Sequence, residues 1–181
     1  MWELKEPKPV KLIMGILAAN EECLRAAVEA IVSEFGRADL VSDVWPFTQT
    51  DYYEKETGEN ILRQFVSIEK LIDPGRLAKI KHRTNKLEQK LAARLGLALS
   101  RPVNLDPGVI EASKLILATT KNYSHRIYIG EKMYAEVTLI FDKGTWQSLP
   151  YTYPDYKQEC YHEFFNEVRK RLLEQLKNEK L

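Results

Sequence analysis

The chain predicts an α+β fold in one domain over residues 1–181: a largely antiparallel sheet covered by helices, with a ferredoxin-like split βαβ core, an added antiparallel β-meander and a C-terminal amphipathic helix. Three observations carry this. Apolar runs and amphipathic stripes come in the order strand, helix, strand, strand, helix, strand. Strand-like segments then crowd between Leu115 and Phe141. Tyr161, Phe164, Phe165, Val168, Leu172 and Leu176 close the chain with a helical apolar face.

Val10 to Ala18 is a short apolar run and reads as a buried strand. Asn20 is a helix cap, with Glu21 and Glu22 favourable in the first turn. Leu24, Ala27, Val28, Ile31, Val32 and Phe35 form the apolar stripe, and Gly36 stops it. Residues 39–47, DLVSDVWPF, read as a second strand whose Pro46 marks a sheet edge. The polar stretch TQTDYYEKETGEN connects it to a third strand, Ile61 to Glu69. Asp73 then caps a long helix, with Pro74 at its first position and Gly96 after its end.

RPVNL is a short extended segment, and Asp106-Pro107-Gly108 repeats Asp73-Pro74-Gly75. Both copies read as an aspartate that caps and a Pro-Gly that turns. Strands follow at 115–119, 127–129 and 133–141, then the irregular PYTYPDY and a helix over 155–177. Placing Ile127 and Ile129 on the same side as Met133, Ala135, Val137, Leu139 and Phe141 requires Ile129 opposite Met133, with the loop Gly130-Glu131-Lys132. Arg126 then faces Glu136, and Tyr128 faces Tyr134.

Composition narrows the function classes. Hydrophobic residues make up 44% and charged residues 29%, which describes a globular chain. A net charge of +1 makes no global case for nucleic acid or an anionic membrane. The apolar run Leu12 to Ala19 is too short to span a bilayer and lacks a signal peptide's basic flank. Cys23 and Cys160 form no C-x-x-C, so a reducing cytoplasm is the expected location. The phosphate-loop, dinucleotide, zinc-protease and nucleophile-elbow signatures are absent. The pattern names no cofactor and no metal-ligand set.

Two stretches concentrate chemistry. On the helix 74–95, Arg76, Lys79, Arg83, Lys86, Lys90 and Arg94 fall on one arc, and Glu88 is the only acidic residue between Pro74 and Arg101. Such a stripe suits RNA phosphates or an acidic protein, or is simply a solvated face, and stacking aromatics are missing from it. Residues 119–126, TTKNYSHR, hold Lys121, Asn122, His125 and Arg126. The cations suit an anion, His125 is an acid or base near neutral pH, and the same residues also make an ordinary polar turn. Alternation along a strand points His125 to the Ile127 side, away from Arg126.

NLDPG, KLILATTKN, HRIYIG, MYAEVTLIF and YTYPDY together resemble an uncharacterised bacterial and archaeal family, a domain of unknown function with an Asn-Leu-Asp-Pro-Gly-Tyr hallmark. The resemblance runs over nearly the whole chain, with Val109 in place of the hallmark tyrosine. It implies that Asn104, Asp106, Lys121, Asn122, His125, Arg126, Glu136 and Asp155 belong to shared motifs, and it brings no established reaction. These residues are mostly polar, which favours a site over a packing motif. The expected site is a pocket for a small anionic or phosphorylated ligand, whether or not an enzyme. Asp106 and His125 are its acid/base candidates. Asn104, Lys121, Asn122, Arg126, Tyr128, Tyr134 and Glu136 are its binding residues. The alternative is a non-catalytic module that uses the basic helix for RNA or an acidic protein. The sequence leaves the oligomeric state open.

Overall fold

The structure is a computed structural model, and it describes residues 2–49 and 54–178. Its strands are β1 (Lys11–Ala18), β2 (Ala38–Val41), β3 (Trp45–Pro46), β4 (Leu62–Ile68), β5 (Val103–Ile110), β6 (Lys114–Thr119), β7 (Ile127–Gly130), β8 (Met133–Asp142) and β9 (Thr145–Ser148). Its helices are α1 (Glu21–Phe35), α2 (Glu54–Thr57), α3 (Leu77–Leu95) and α4 (Glu159–Asn178). Among the described residues these strands form one sheet in the order β2-β4-β1-β5-β6-β8-β7, with β3 beside β4 and β9 beside β8. Every pairing is antiparallel.

β1 is buried at all eight positions because it lies between β4 and β5 with helices on both faces. Leu12, Met14, Ile16 and Ala18 pack with Leu24, Ala27 and Ile31 of α1 and Ile80, Leu87 and Leu91 of α3. On the opposite face, Ile13, Phe65, Leu115 and Leu139 pack with Tyr161, Phe165, Val168 and Leu172 of α4. Each such side chain contributes about 1.5–3 kcal/mol by leaving water. Local signals agree with this plan. The Asn20 side chain accepts the Cys23 N–H at 2.9 Å, Asp73 accepts the Gly75 N–H at 2.7 Å, and Gly96 takes the left-handed conformation at φ 61°. Among the described residues no helix is long and apolar enough to cross a membrane.

Several expectations need correction. The strand over 39–47 divides into β2 and β3, because the Ser42 hydroxyl takes the Phe65 N–H at 2.9 Å where a strand carbonyl would. Of the polar connection that follows, residues 50–53 lie outside the described residues, and Glu54–Thr57 form α2. The second Asp-Pro-Gly is no turn: it lies inside β5, paired with β1 throughout. β9 follows β8 through a tight turn containing Gly144, and α4 begins at Glu159 after a 3-10 turn over Pro154–Lys157.

Tyr128 does face Tyr134, and Ile127 faces Ala135. The loop is shorter than expected: Glu131 and Lys132, at φ 51° and 62°, form a two-residue turn, and a bulge at Ile129 restores the parity. A second irregularity, at Thr138, changes which side of β8 faces which layer. Ala135 therefore packs with Leu77 of α3, whereas Leu139 packs with α4. Ile127, expected on the apolar side, is 71% exposed because β7 is the sheet's edge.

Candidate functional site

The sheet opens between β5 and β6. The two strands pair only from Gly108–Ile110 to Leu115–Leu117. At Gly108 a Cβ would stand 2.6 Å from the Ile116 carbonyl oxygen, so glycine permits that approach. Leu105 turns its N–H and C=O away from β1, and Pro107, two residues on, has no N–H to offer on that side. The ladder stops there. Gly108 thus closes the sheet, Pro107 opens it, and Asp106 lies just inside the opening.

α3 supplies the missing partners. Glu88 Oε1 accepts the Leu105 N–H at 2.7 Å, and Lys81 Nζ donates to the Leu105 carbonyl at 2.9 Å. Glu88 Oε2 also accepts from Arg101 Nε at 2.9 Å and Nη2 at 2.7 Å. Burial pushes the Glu88 carboxyl above its ordinary pKa, while Lys81, Arg101 and the Leu105 N–H pull it back.

Between α3, β5, the end of β6, β8 and the 153–156 turn lies a cavity of about 1000 Å³. Asn104, Asp106, Lys121 and Glu136 line it, as do Arg63, Lys81, Glu88, Arg101, Tyr153 and Asp155. Asn104 Nδ2 donates to Asp106 Oδ2 at 2.7 Å, and Lys81 Nζ stands 3.6 Å from Asp106 Oδ1. Arg63 and Asp155 form a buried pair at 2.6 Å. Burial raises the Asp155 pKa, against the opposing charge of Arg63. Burial likewise raises the Tyr153 hydroxyl, with Arg126 opposing.

His125 and Arg126 stand behind Glu136 and do not line the cavity. Glu136 Oε2 accepts from His125 Nε2 at 3.1 Å and from Arg126 Nε at 2.8 Å. Arg126 also donates to the Lys121 carbonyl at 3.0 Å and the Tyr153 hydroxyl at 2.6 Å, so all three of its nitrogens hold protein groups. His125 stacks on Tyr151 at 4.0 Å between ring centroids. The expectation that His125 points away from Arg126 fails because residue 125 lies in the turn before β7, where strand alternation has not begun.

The remaining expected residues lie elsewhere. Asn122 is exposed, and Tyr128 and Tyr134 pack edge to face at 5.5 Å outside the cavity lining. Lys79, Lys86, Lys90 and Arg94 are exposed along α3, and Arg76 is exposed at the end of the 3-10 turn Pro74–Arg76 that stands where the first turn of the helix was expected. Arg83 instead donates to Glu34 at 2.6 Å and lies over the Phe35 ring at 4.6 Å. His82 is half-buried and makes a 2.7 Å hydrogen bond with the Glu131 carbonyl.

Sequence reasoning missed Lys81, Arg63, Arg101 and Tyr153, and it did not assign Glu88. Glu88 had a signal, as a lone acid in a basic helix. Lys81 had none, because its role depends on where β5 loses its neighbour. Among the described residues no group of three or more His, Cys, Asp or Glu side chains is arranged to hold a metal ion.

A family model described as a domain of unknown function, DUF4416, matches residues 8–172. The chain belongs to the DUF4416 family. The DUF4416 match spans every cavity-lining residue, from Phe47 to Tyr156. Searches of the curated proteins and of the solved structures gave no match.

Proposed function

We propose that the cavity between β5 and β6 binds a small ligand with an anionic or phosphorylated group. One observation carries the reading: Arg63, Lys81, Arg101 and Lys121 share the lining with Glu56, Glu88, Asp106, Glu136 and Asp155. A ligand matched to both signs carries an anionic group together with amino or hydroxyl donors. The volume of about 1000 Å³ suits a metabolite-sized molecule. Asp106 is the acid/base candidate within the lining, whereas His125 and Arg126 support it by holding Glu136. The free thiols Cys23 and Cys160 are compatible with a cytoplasmic location. The order β2-β4-β1-β5, with α1 and α3 on one face, supports a ferredoxin-like core carrying the β6–β9 meander.

A thermal-shift screen against phosphorylated and carboxylated metabolites tests the reading. A ligand at ~100 times its Kd adds about 2.7 kcal/mol to stability, which such a screen resolves. The expected hit loses its shift in Asp106→Asn and Glu136→Gln. Absence of any hit, or a hit indifferent to both substitutions, overturns it.

The exposed cations Arg76, Lys79, Lys86, Lys90 and Arg94 support a second reading, docking of RNA or an acidic protein on α3. It is the weaker one, since Arg83 at the centre of the stripe is engaged by Glu34. Salt-sensitive binding lost on charge reversal of Lys79 and Lys86 would favour it.

A further inference from the structure

One face of α3 lines the cavity with Lys81, Asn85 and Gln89, which follow one another at four-residue steps, about 6 Å apart along the axis. Asn85 is half-buried and Gln89 exposed. Among the described residues, neither side-chain amide makes a hydrogen bond to the protein. At the Lys81 end stands Asp106. Its Oδ2 accepts from Asn104 Nδ2 at 2.7 Å, whereas its Oδ1 lies 3.6 Å from Lys81 Nζ, beyond hydrogen-bond reach. Oδ1 therefore keeps its lone pairs for a donor. The Asp106 side chain is 27% exposed and lines the cavity, so that donor can come from a ligand.

Charge decides which donor. A ligand cation at Asp106 Oδ1 would face the Lys81 ammonium, and an anion beside Lys81 would face the Asp106 carboxylate. Nearby, Arg101 is balanced by Glu88, and Asp155 by Arg63. Hydrogen-bonding capacity remains here where net charge does not. A hydroxyl suits this setting, because it is uncharged and both donates and accepts. It can donate to Asp106 Oδ1 and accept from an N–H of Lys81, Asn85 or Gln89. From Lys81 to Gln89 these groups extend ~12 Å, more than one hydroxyl can use. We propose that Asp106, Lys81, Asn85 and Gln89 form a strip that binds several hydroxyls of a sugar or other polyol. The strip rests on the cavity reading above and names the chemistry of the ligand's uncharged part.

Methyl phosphate, glycerol 3-phosphate, ribose 5-phosphate and glucose 6-phosphate are the probes, titrated into the whole chain by calorimetry. The last three add hydroxyls to the same anionic group. At least one of them is expected to bind ~10-fold more tightly than methyl phosphate. Asn85→Ala and Gln89→Ala are each expected to reduce that advantage ~5-fold. Neither amide holds another part of the described chain, so an unchanged Tm in the variants assigns the loss to a ligand contact. Methyl phosphate binding as tightly as all three, or an advantage unaltered in both variants, overturns the strip. If a screened metabolite without hydroxyls binds through Asp106 and Glu136 while no sugar phosphate outbinds methyl phosphate, only the strip fails. If nothing binds the cavity at all, the wider reading fails with it.

Discussion

Glu88 Oε1 accepts the Leu105 N–H at 2.7 Å, standing in for a strand partner that β5 lacks at that point. Removing that acceptor strands two groups at once: a buried N–H loses its partner, and Arg101 loses its carboxylate. Glu88→Ala is expected to cost about 2–4 kcal/mol in urea unfolding. Glu88→Gln, which keeps an oxygen in reach of Leu105, is expected to cost less. Equal losses in the two variants would show that the Leu105 hydrogen bond contributes nothing.

The same carboxyl makes stability depend on pH. Its folded pKa lies above the ordinary glutamate value, mainly through burial. Between the unfolded and folded values the folded chain binds the extra proton, so Glu88's contribution is fullest below the unfolded value, ~4.3, and falls as pH rises through the folded one. The amide introduced by Glu88→Gln cannot titrate. Wild type is therefore expected to gain on Glu88→Gln as pH is lowered towards the unfolded glutamate value, measured as the difference in Tm. A difference that shrinks over that range would reverse the assignment.

Arg63 and Asp155 are 3% and 4% exposed and lie 2.6 Å apart, so neither charge can fall back on solvent. Asp155→Asn is expected to cost about 3–5 kcal/mol, because it leaves a buried guanidinium without its counter-charge. Replacing both, as Arg63→Met with Asp155→Leu, is expected to recover much of that loss. A double variant as unstable as the sum of the singles would mean that the pair is not coupled.

At Gly108 the argument is steric. Gly108→Ala forces a methyl group to within 2.6 Å of the Ile116 carbonyl oxygen, which is backbone and cannot swing away. The expected cost is about 1–3 kcal/mol. Hydrogen exchange is expected to rise selectively at the β5–β6 amides. Unchanged protection there would show that β6 yields freely.

The β7–β8 turn offers a change of opposite sign. Glu131 and Lys132 both hold positive φ, which costs L-residues about 1–2 kcal/mol each. Asn-Gly is the preferred pair for such a turn. Glu131→Asn with Lys132→Gly is expected to raise Tm, and a fall would show that those side chains hold the hairpin by contacts that outweigh the strain.

Much of the fold was legible because local chemistry and packing agree. Asn20, Asp73 and Gly96 do at the helix ends what their residue types do anywhere. The stripes Leu24–Ala27–Ile31 and Tyr161–Phe165–Val168–Leu172 face the sheet because helical periodicity leaves them nowhere else to point. Arg126 opposite Glu136 followed from counting residues along a hairpin. Periodicity failed at the bulges at Ile129 and Thr138, since one extra residue reverses every side chain beyond it and no local signal announces it.

The second Asp-Pro-Gly marks the boundary between the two kinds of information. By itself the sequence determined that Pro107 has no N–H and that Gly108 has no side chain. Only the tertiary structure decided that these properties would interrupt a sheet instead of making a turn, because β1 pairs with the segment along its whole length and holds it extended. The same packing brought Lys81 and Glu88 to Leu105, and Arg63 to Asp155 across 92 positions of chain. Those contacts depend on which strand ends beside which helix, a relation between distant segments that local residue preferences do not encode.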